Sequence, residues 1–278
     1  MDYLFRGMAR NDKVRIIGCE CKDTVDLICK KHGTYPIATI TLGRFLCAAL
    51  MMGAMLKDKQ TITCILNGNG KLGTIFAQAN ATGEVRGFVG DPYVDLPLVD
   101  NKWDVEGAVG DSGILNVIKS FDEEKNFSSQ VPLVNGDIAS NIATYFFNSE
   151  QLPTIVNLSV ELDAEGNVKS ARGYIIQLMT GYLEEDIEYV ENLKLASLDK
   201  KVDDCVVEMF SDFKRLENTP VKFVCDCNKE KFEKGLKALN KEEIKQIIEE
   251  EEQIEVVCNF CSDKYVFSRE ELKKIIEE

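Results

Sequence analysis

Apolar residues along this chain follow one texture up to about Gly181 and another beyond it. In the first part, Gln60 to Leu66, Leu72 to Ala79 and Glu84 to Val89 are short apolar runs with the alternation of half-buried strands. The turn-forming segments Asn67 to Lys71 and Asn80 to Gly83 separate them, so an antiparallel meander is predicted. Further strands are predicted at Gly113 to Phe121, Ser129 to Val134, Thr154 to Leu162 and Lys169 to Leu178. Helical spacing fits Lys22 to Lys31, the run after Pro36, and Gly136 to Asn148. The class is therefore α+β, with an N-terminal core of mixed antiparallel sheet and helices over residues 1–181.

Beyond Gly181 the period becomes helical. Val202, Cys205, Val206, Met209, Phe210, Phe213 and Leu216 recur at three- and four-residue steps, which places them on one face of a helix in a connector spanning 182–220. Val206, Met209, Phe210 and Phe213 are the expected lid, because four large apolar groups on an acidic helix need a surface to cover them. In the terminal unit, 221–278, Asn240 with Glu243 and Ser268 with Glu271 have capping-box spacing. They precede the apolar positions Ile244, Ile247 and Ile248, and Leu272, Ile275 and Ile276. Two helices should thus flank the strand-like runs Ile254 to Val257 and Lys264 to Phe267.

Composition agrees with this division. Eighteen of the nineteen glycines lie at or before Gly181, so turns concentrate in the first part. Residues 182–278 carry a net charge of -10 of the chain's -14, which makes the connector and terminal unit the more acidic and solvated portion. With no basic run and 47 acidic against 33 basic residues, nucleic acid and anionic membranes are excluded as expected partners. The apolar stretch from Pro36 to Leu56 contains Arg44, Thr39, Thr41, Gly43 and Gly53 and reads as a core helix, not a membrane span. The opening MDYLFRGMARNDKVR lacks the basic, apolar and small-residue regions of a secretory signal, so a cytoplasmic location is expected.

Ten cysteines in a reducing compartment point to metal or redox chemistry before a disulfide framework. Cys225-Asp226-Cys227 and Cys258-Asn259-Phe260-Cys261 present two thiol pairs separated by 30 residues, enough for the two predicted helices. Four thiolates suit one zinc ion in tetrahedral coordination, and a unit of about 58 residues with few apolar side chains commonly depends on such an ion. Spacing alone leaves a purely structural zinc and a sensor both open. Cys19, Cys21 and Cys29 are read as buried thiols, and Cys47, Cys64 and Cys205 as packing residues on apolar segments.

Gly68-Asn69-Gly70-Lys71-Leu72-Gly73 matches a dinucleotide-loop pattern, but a strand-like run follows it instead of a helix, so a hairpin turn is expected. His32, the one histidine, rules out most histidine-based triads and is expected as a structural residue at a helix start.

C-x-C, about thirty residues, C-x-x-C and then Tyr265-Val266-Phe267 together resemble the terminal pattern of the redox-regulated thirty-three-kilodalton heat-shock chaperone family. His32-Gly33-Thr34-Tyr35-Pro36, Arg86-Gly87 and the run from Tyr145 to Thr154 extend the resemblance through the core. Where the family often has Ser and then Glu-Arg after C-x-C, this chain has Asn228 and Glu230-Lys231, a change that removes no thiol.

The resemblance implies a holdase that needs no ATP and is not an enzyme. It is inactive while reduced with one zinc per chain on Cys225, Cys227, Cys258 and Cys261, and those four cysteines are its redox-active disulfides after oxidation. It further implies capture of unfolded or oxidatively damaged proteins and a homodimer in the oxidised state. Local pairs, Cys225 with Cys227 and Cys258 with Cys261, are expected, the latter first because a Cys-x-Cys ring is the more strained. The other six cysteines are expected to stay thiols. Two rival readings differ in class: a thiol-disulfide oxidoreductase using Cys258 and Cys261, which needs a thioredoxin-like setting, and a static zinc-stabilised interaction protein.

Overall fold

A computed structural model describes residues 1–57, 60–121 and 125–277. The chain divides into two compact units, Met1–Val224 and Cys225–Glu278.

The first unit opens with β1 (Tyr3–Ala9) and β2 (Val14–Glu20), followed by helices α1 (Lys22–His32) and α2 (Pro36–Gly53). Strands β3 (Thr61–Gly68), β4 (Thr74–Asn80) and β5 (Glu84–Val89) form the predicted meander. After them come α3 (Val105–Val109), β6 (Gly113–Ser120), β7 (Asn126–Pro132), α4 (Ile138–Glu150), β8 (Thr154–Leu162) and β9 (Val168–Leu178). The unit continues with α5 (Glu184–Glu191), α6 (Val202–Met209), β10 (Lys214–Pro220) and β11 (Lys222–Phe223).

Two sheets result, ordered β10-β1-β2-β9-β8 and β11-β5-β4-β3-β6-β7. All pairings are antiparallel except β11 with β5. Helix α2 packs against strands of both sheets, and every residue in it except Pro36 and Arg44 is buried. A helix apolar on all sides must be enclosed, and this one is the centre of the main hydrophobic core. It is long and apolar enough to cross a membrane by composition, yet 89% of that window is buried within the protein.

The Gly68 to Gly73 segment is a hairpin connection between β3 and β4, as expected. A β-carbon at Gly70 would lie 2.3 Å from the Ala108 carbonyl oxygen, so the glycine serves close packing against α3. His32 closes α1 instead of starting a helix, and Gly33 caps that end in the left-handed conformation at φ 61°. The N-terminus of α1 has no cap from its own preceding side chain. Instead the buried Asp2 carboxylate accepts from the backbone N–H groups of Asp23 and Thr24 at 3.1 and 2.5 Å.

The short helix α3 was not expected from the sequence, and three larger features of the first unit also differ from the expectation. Strand β7 begins at Asn126, earlier than Ser129, because this polar edge strand pairs along its length with β6. Strands β1 and β2 carry no Gly or Pro in their connection. It turns through Arg10, Asn11 and Asp12, all with positive φ.

The third difference is the connector. Residues 182–220 do not form one continuous helical stripe: α6 stops at Met209, Phe210 is extended at φ -138°, and the chain turns back as edge strand β10 against β1. Asp212 holds the turn by accepting from the Arg10 backbone N–H at 2.8 Å. Val206, Met209 and Phe210 are buried, Phe213 is half-buried, and Leu216, on β10, is exposed and outside the stripe.

The buried face of α6 lies on the β1, β2 and β9 sheet in a second apolar cluster with Phe5, Val14, Ile16, Tyr174 and Ile176. Glycines in the sheet make room for it. A β-carbon at Gly18 would come within 2.7 Å of Val202 and 2.4 Å of Phe5. Polar anchors accompany the packing: Glu20 accepts from the Val202 N–H at 2.9 Å, and the Tyr189 hydroxyl donates to the Met209 carbonyl at 2.6 Å. Asp186 on α5 pairs with Arg10 and Lys13 at 3.2 and 3.4 Å.

The second unit contains α7 (Lys229–Lys237), α8 (Lys241–Glu250), β12 (Gln253–Val257), β13 (Lys264–Ser268) and α9 (Arg269–Glu277). Strands β12 and β13 form an antiparallel hairpin. The Ser268 and Glu271 capping box is present: Ser268 N–H donates to the Glu271 carboxylate at 2.9 Å, and Glu271 N–H donates to Ser268 Oγ at 3.3 Å. Asn240 caps α8 by accepting from Glu242 N–H at 3.0 Å, while the side chains of Glu243 and Ile276 lie outside the described residues. Its buried apolar core comprises Leu236, Ile244, Phe267, Leu272 and Ile275 among the described residues.

Candidate metal centre

Each of the four thiols in the second unit owes its place to a local structural device. Cys258 and Cys261 occupy the connection between β12 and β13. Cys258 N–H donates to the Asp263 carbonyl at 2.9 Å, and Ser262 N–H donates to the Cys258 carbonyl at 2.9 Å. Ser262 takes a left-handed φ of 60°, which closes this tight turn and leaves both sulfurs on its inner side. Cys225 and Cys227 precede α7, whose first turn Asn228 caps by accepting from Lys231 N–H at 2.9 Å. Asparagine fills a serine's role here, since either side chain caps well. Lys231 also pairs with Asp226, between the two cysteines.

The sulfurs converge. All four lie within 4.8 Å of one another, with Cys225 to Cys258 at 3.7 Å and Cys227 to Cys261 at 3.2 Å. Sulfurs bound tetrahedrally at ~2.3 Å from zinc stand ~3.8 Å apart, so this cluster has the size of an all-thiolate site. Cys258 and Cys261 are buried, while Cys225 and Cys227 are half-buried. The cluster could hold a metal ion, and its donors are the soft thiolates that zinc accepts.

Hydrogen bonding distinguishes the sulfurs. Burial works against ionisation of Cys258, but the N–H groups of Phe260 and Cys261 and the thiols of Cys261 and Cys227 outweigh it, holding Cys258 below the ordinary thiol range. Burial pushes Cys225 and Cys261 upward. Tyr265 places its hydroxyl 3.2 Å from Cys227 Sγ, and that contact raises the phenol's pKa. Its ring lies 4.9 Å from Phe232, so packing orients the hydroxyl. The Tyr-x-Phe motif thus has two structural roles: Tyr265 supports a sulfur, and Phe267 fills the small core.

The Cys258 and Cys261 pair sits in a hairpin turn, not at a helix N-terminus after a strand, so the thioredoxin-like setting required by an oxidoreductase is missing from this pair.

Residues 2–268 match the family model described as Hsp33 protein. This chain belongs to the Hsp33 family. It is 38% identical over 288 residues to the 33 kDa chaperonin of Bacillus subtilis, covering 100% of this chain and 99% of that protein. The 33 kDa chaperonin of Caldanaerobacter subterraneus is also 38% identical, over 289 residues, with 100% and 98% covered. The crystal structure of a 33 kDa chaperonin, a heat shock protein 33 homologue from Thermotoga maritima, matches with a TM-score of 0.90 at 33% identity, over 99% of this chain and 98% of that one. The Hsp33 family is a chaperone family, and this member is a chaperone of the redox-regulated kind, not an enzyme.

Sequence spacing found the four clustered thiols of the second unit. It missed a second convergence, in the first unit, where Cys47 joins Cys19 and Cys21. Cys47 is 26 residues from Cys21, on a helix whose rotation only tertiary packing fixes.

Proposed function

We propose that this chain is an ATP-independent holdase kept inactive by one zinc ion on Cys225, Cys227, Cys258 and Cys261, and switched on by oxidation of those thiols. The observation that carries the reading is the four-sulfur cluster in a unit with so small an apolar core. A bound zinc supplies tetrahedral cross-linking and keeps the thiols deprotonated, a contribution on the order of 10 kcal/mol in small domains. That is comparable to the whole net stability of an ordinary domain, ~5 to 15 kcal/mol, so the unit should not survive loss of its ligands.

Under peroxide, each cysteine pair gives up two electrons, forms one sulfur–sulfur bond, and reduces one peroxide to water. The four sulfurs cease to be ligands. Helix α7 and the β12–β13 hairpin then lose what holds their cysteines together, and the second unit unfolds. Residues 182–220, although folded within the first unit, serve in this reading as the regulatory segment. Release of Val206, Met209, Phe210 and Phe213 uncovers their apolar faces and the sheet beneath for unfolded or oxidatively damaged clients. A homodimer in the oxidised state, a cytoplasmic location, and no role for nucleic acid or membrane belong to the same proposal. The acidic balance of -14 supports the last point.

Metal release during peroxide or hypochlorite treatment, followed alongside light scattering of an unfolding client, tests the function. Suppression of aggregation should rise as metal is released and at stoichiometric ratios. Equal suppression before and after oxidation would point instead to a static zinc-stabilised protein.

A further inference from the structure

Cys19 and Cys21 are expected from the sequence as buried thiols and Cys47 as a packing residue, all three remaining thiols on oxidation, but the fold brings them together in the core of the first unit. Cys19 is on β2, Cys21 immediately precedes α1, and Cys47 lies in the middle of α2. All three have 0% exposure, and their sulfurs fall within 4.8 Å of one another. The Cys21 and Cys47 sulfurs are 3.1 Å apart, closer than an ordinary nonbonded sulfur contact. Longer contacts run from Cys21 Sγ to the Ala171 carbonyl at 3.6 Å and from Cys19 Sγ to the Cys47 carbonyl at 3.9 Å, and the Gly173 backbone also hydrogen-bonds to Cys19.

We propose that Cys21 and Cys47 are a second oxidation site, which closes a core disulfide under peroxide and is independent of the four terminal thiols. Two features favour a disulfide over a metal here. Among the described residues only three sulfurs converge, one short of the four that a closed thiolate site takes, and the position is fully buried, where a lasting net charge is costly. A disulfide is neutral and apolar, so it adds no charge to the core.

The cluster also supplies a nucleophile. Hydrogen bonds from Cys19 and Cys21 lower Cys47 against burial and the charges of Glu20 and Asp2, which makes it the most readily ionised of the three sulfurs. The bonds that Cys21 makes to Cys19 and Cys47, together with burial, push Cys21 well up. Cys47 is therefore the sulfur that attacks, and Cys21 the protonated partner that resolves.

The small neutral oxidant is hydrogen peroxide. Cys47 thiolate attacks one peroxide oxygen: the sulfur–oxygen bond forms, the oxygen–oxygen bond breaks, and the departing hydroxide combines with the proton that Cys47 had released, giving water. Cys21 then attacks the sulfenic sulfur. The sulfur–sulfur bond forms, the sulfur–oxygen bond breaks, and the departing hydroxide takes the Cys21 proton to give a second water. Two thiols are oxidised and one peroxide is reduced. The product ties the start of α1 to the central helix across 26 residues of chain and restricts the unfolded first unit, so it should protect the chaperone core under the conditions that activate it.

The full chain, oxidised by peroxide under native conditions, quenched in acid, alkylated and mapped by mass spectrometry without reduction, decides the matter. A peptide pair linking Cys21 to Cys47 is expected, and the first unit of the oxidised chain should melt several degrees above that of the same chain with this bond reduced. Cys47→Ala should lose both the linked peptide and the shift. The proposal fails if Cys19, Cys21 and Cys47 are all recovered as alkylated thiols after the terminal four are oxidised. It fails equally if Cys19 bridges to Cys21 with Cys47 free, or if metal above one equivalent per chain drops to one in Cys47→Ala. Mapping of the unsubstituted chain needs no variant to fold, so a misfolded Cys47→Ala leaves the decision intact.

Discussion

The ring of Phe213 lies over Gly7 so closely that a β-carbon there would sit 2.3 Å from its Cε2 atom. Phe213 also meets Phe5 edge-to-face, with ring centroids 5.7 Å apart. The sheet under the regulatory segment is therefore shaped to receive it, and the fit can be broken from either side.

Gly7→Ala should displace Phe213 and the start of β10, whose Lys214 carbonyl is 2.6 Å from the same position. Phe213→Asp and Met209→Glu should loosen the segment from its own side, since burial of each apolar group contributes ~1.5 to 3 kcal/mol. The expected outcome is a reduced, metal-loaded chain that already suppresses client aggregation. Metal content, thermal unfolding and hydrogen exchange of one preparation check it. A folded, metal-loaded variant whose α6 exchanges freely but which holds no client until oxidised would sink the lid reading.

One zinc per reduced chain is expected by elemental analysis. Cys227→Ser and Cys258→Ser should each weaken binding by more than about 100-fold, since outer-shell partners alone are worth ~10- to 100-fold. A chelator strong enough to strip the ion should abolish amide protection in α7, α8 and α9 while β3, β4 and α2 keep theirs. Full stoichiometric zinc in either serine variant would remove the assignment.

What the sequence disclosed and what it hid follow from the range of the interactions. The Cys225, Cys227, Cys258 and Cys261 set was readable because each pair is local, and Ser268 with Glu271 because a capping box closes within one helical turn. The meander of β3, β4 and β5 was readable from alternation and turn residues. Strand β10 was not: Lys214 to Pro220 is polar and almost wholly exposed, and it is a strand only because β1 offers an edge. Likewise Phe213 kept a helical spacing from Met209 in sequence although the chain had already left the helix. Cys47 met Cys19 and Cys21 through the packing of α2, which no local pattern encodes.

Oxidation of the terminal thiols should give Cys225–Cys227 and Cys258–Cys261 bridges, with the second forming first. Two close sulfur contacts in the reduced cluster cross between the pairs, at 3.7 Å from Cys225 to Cys258 and 3.2 Å from Cys227 to Cys261. Cross-pairing is thus a real competitor while the unit stays folded. Local bridges win if unfolding accompanies oxidation, because a short loop is the cheaper one to close in a flexible chain. Peptide mapping along a peroxide time course distinguishes the cases: dominant Cys225–Cys258 and Cys227–Cys261 linkages would mean that the unit is oxidised while still folded.

Tyr265 offers the most selective probe of the cluster, since its hydroxyl reaches Cys227 Sγ at 3.2 Å but it is not itself a metal ligand in the proposed site. A hydroxyl that donates to a thiolate draws electron density from the sulfur and lowers its reactivity toward oxidants. Tyr265→Phe removes that donor and keeps the ring that packs on Phe232 at 4.9 Å, so the small apolar core should stay filled. The variant is expected to bind one zinc, to hold it ~10-fold less tightly, and to lose it to peroxide faster than the unsubstituted chain. Tyr265→Ala should add a packing defect beside Phe232 and lower the unit's thermal stability as well. Competition with a chromophoric chelator gives the affinity, and stopped-flow release under peroxide gives the rate. If Tyr265→Phe matched the unsubstituted chain in both while Tyr265→Ala alone was impaired, the tyrosine would matter through its ring, and the hydroxyl contact would have no part in setting the switch.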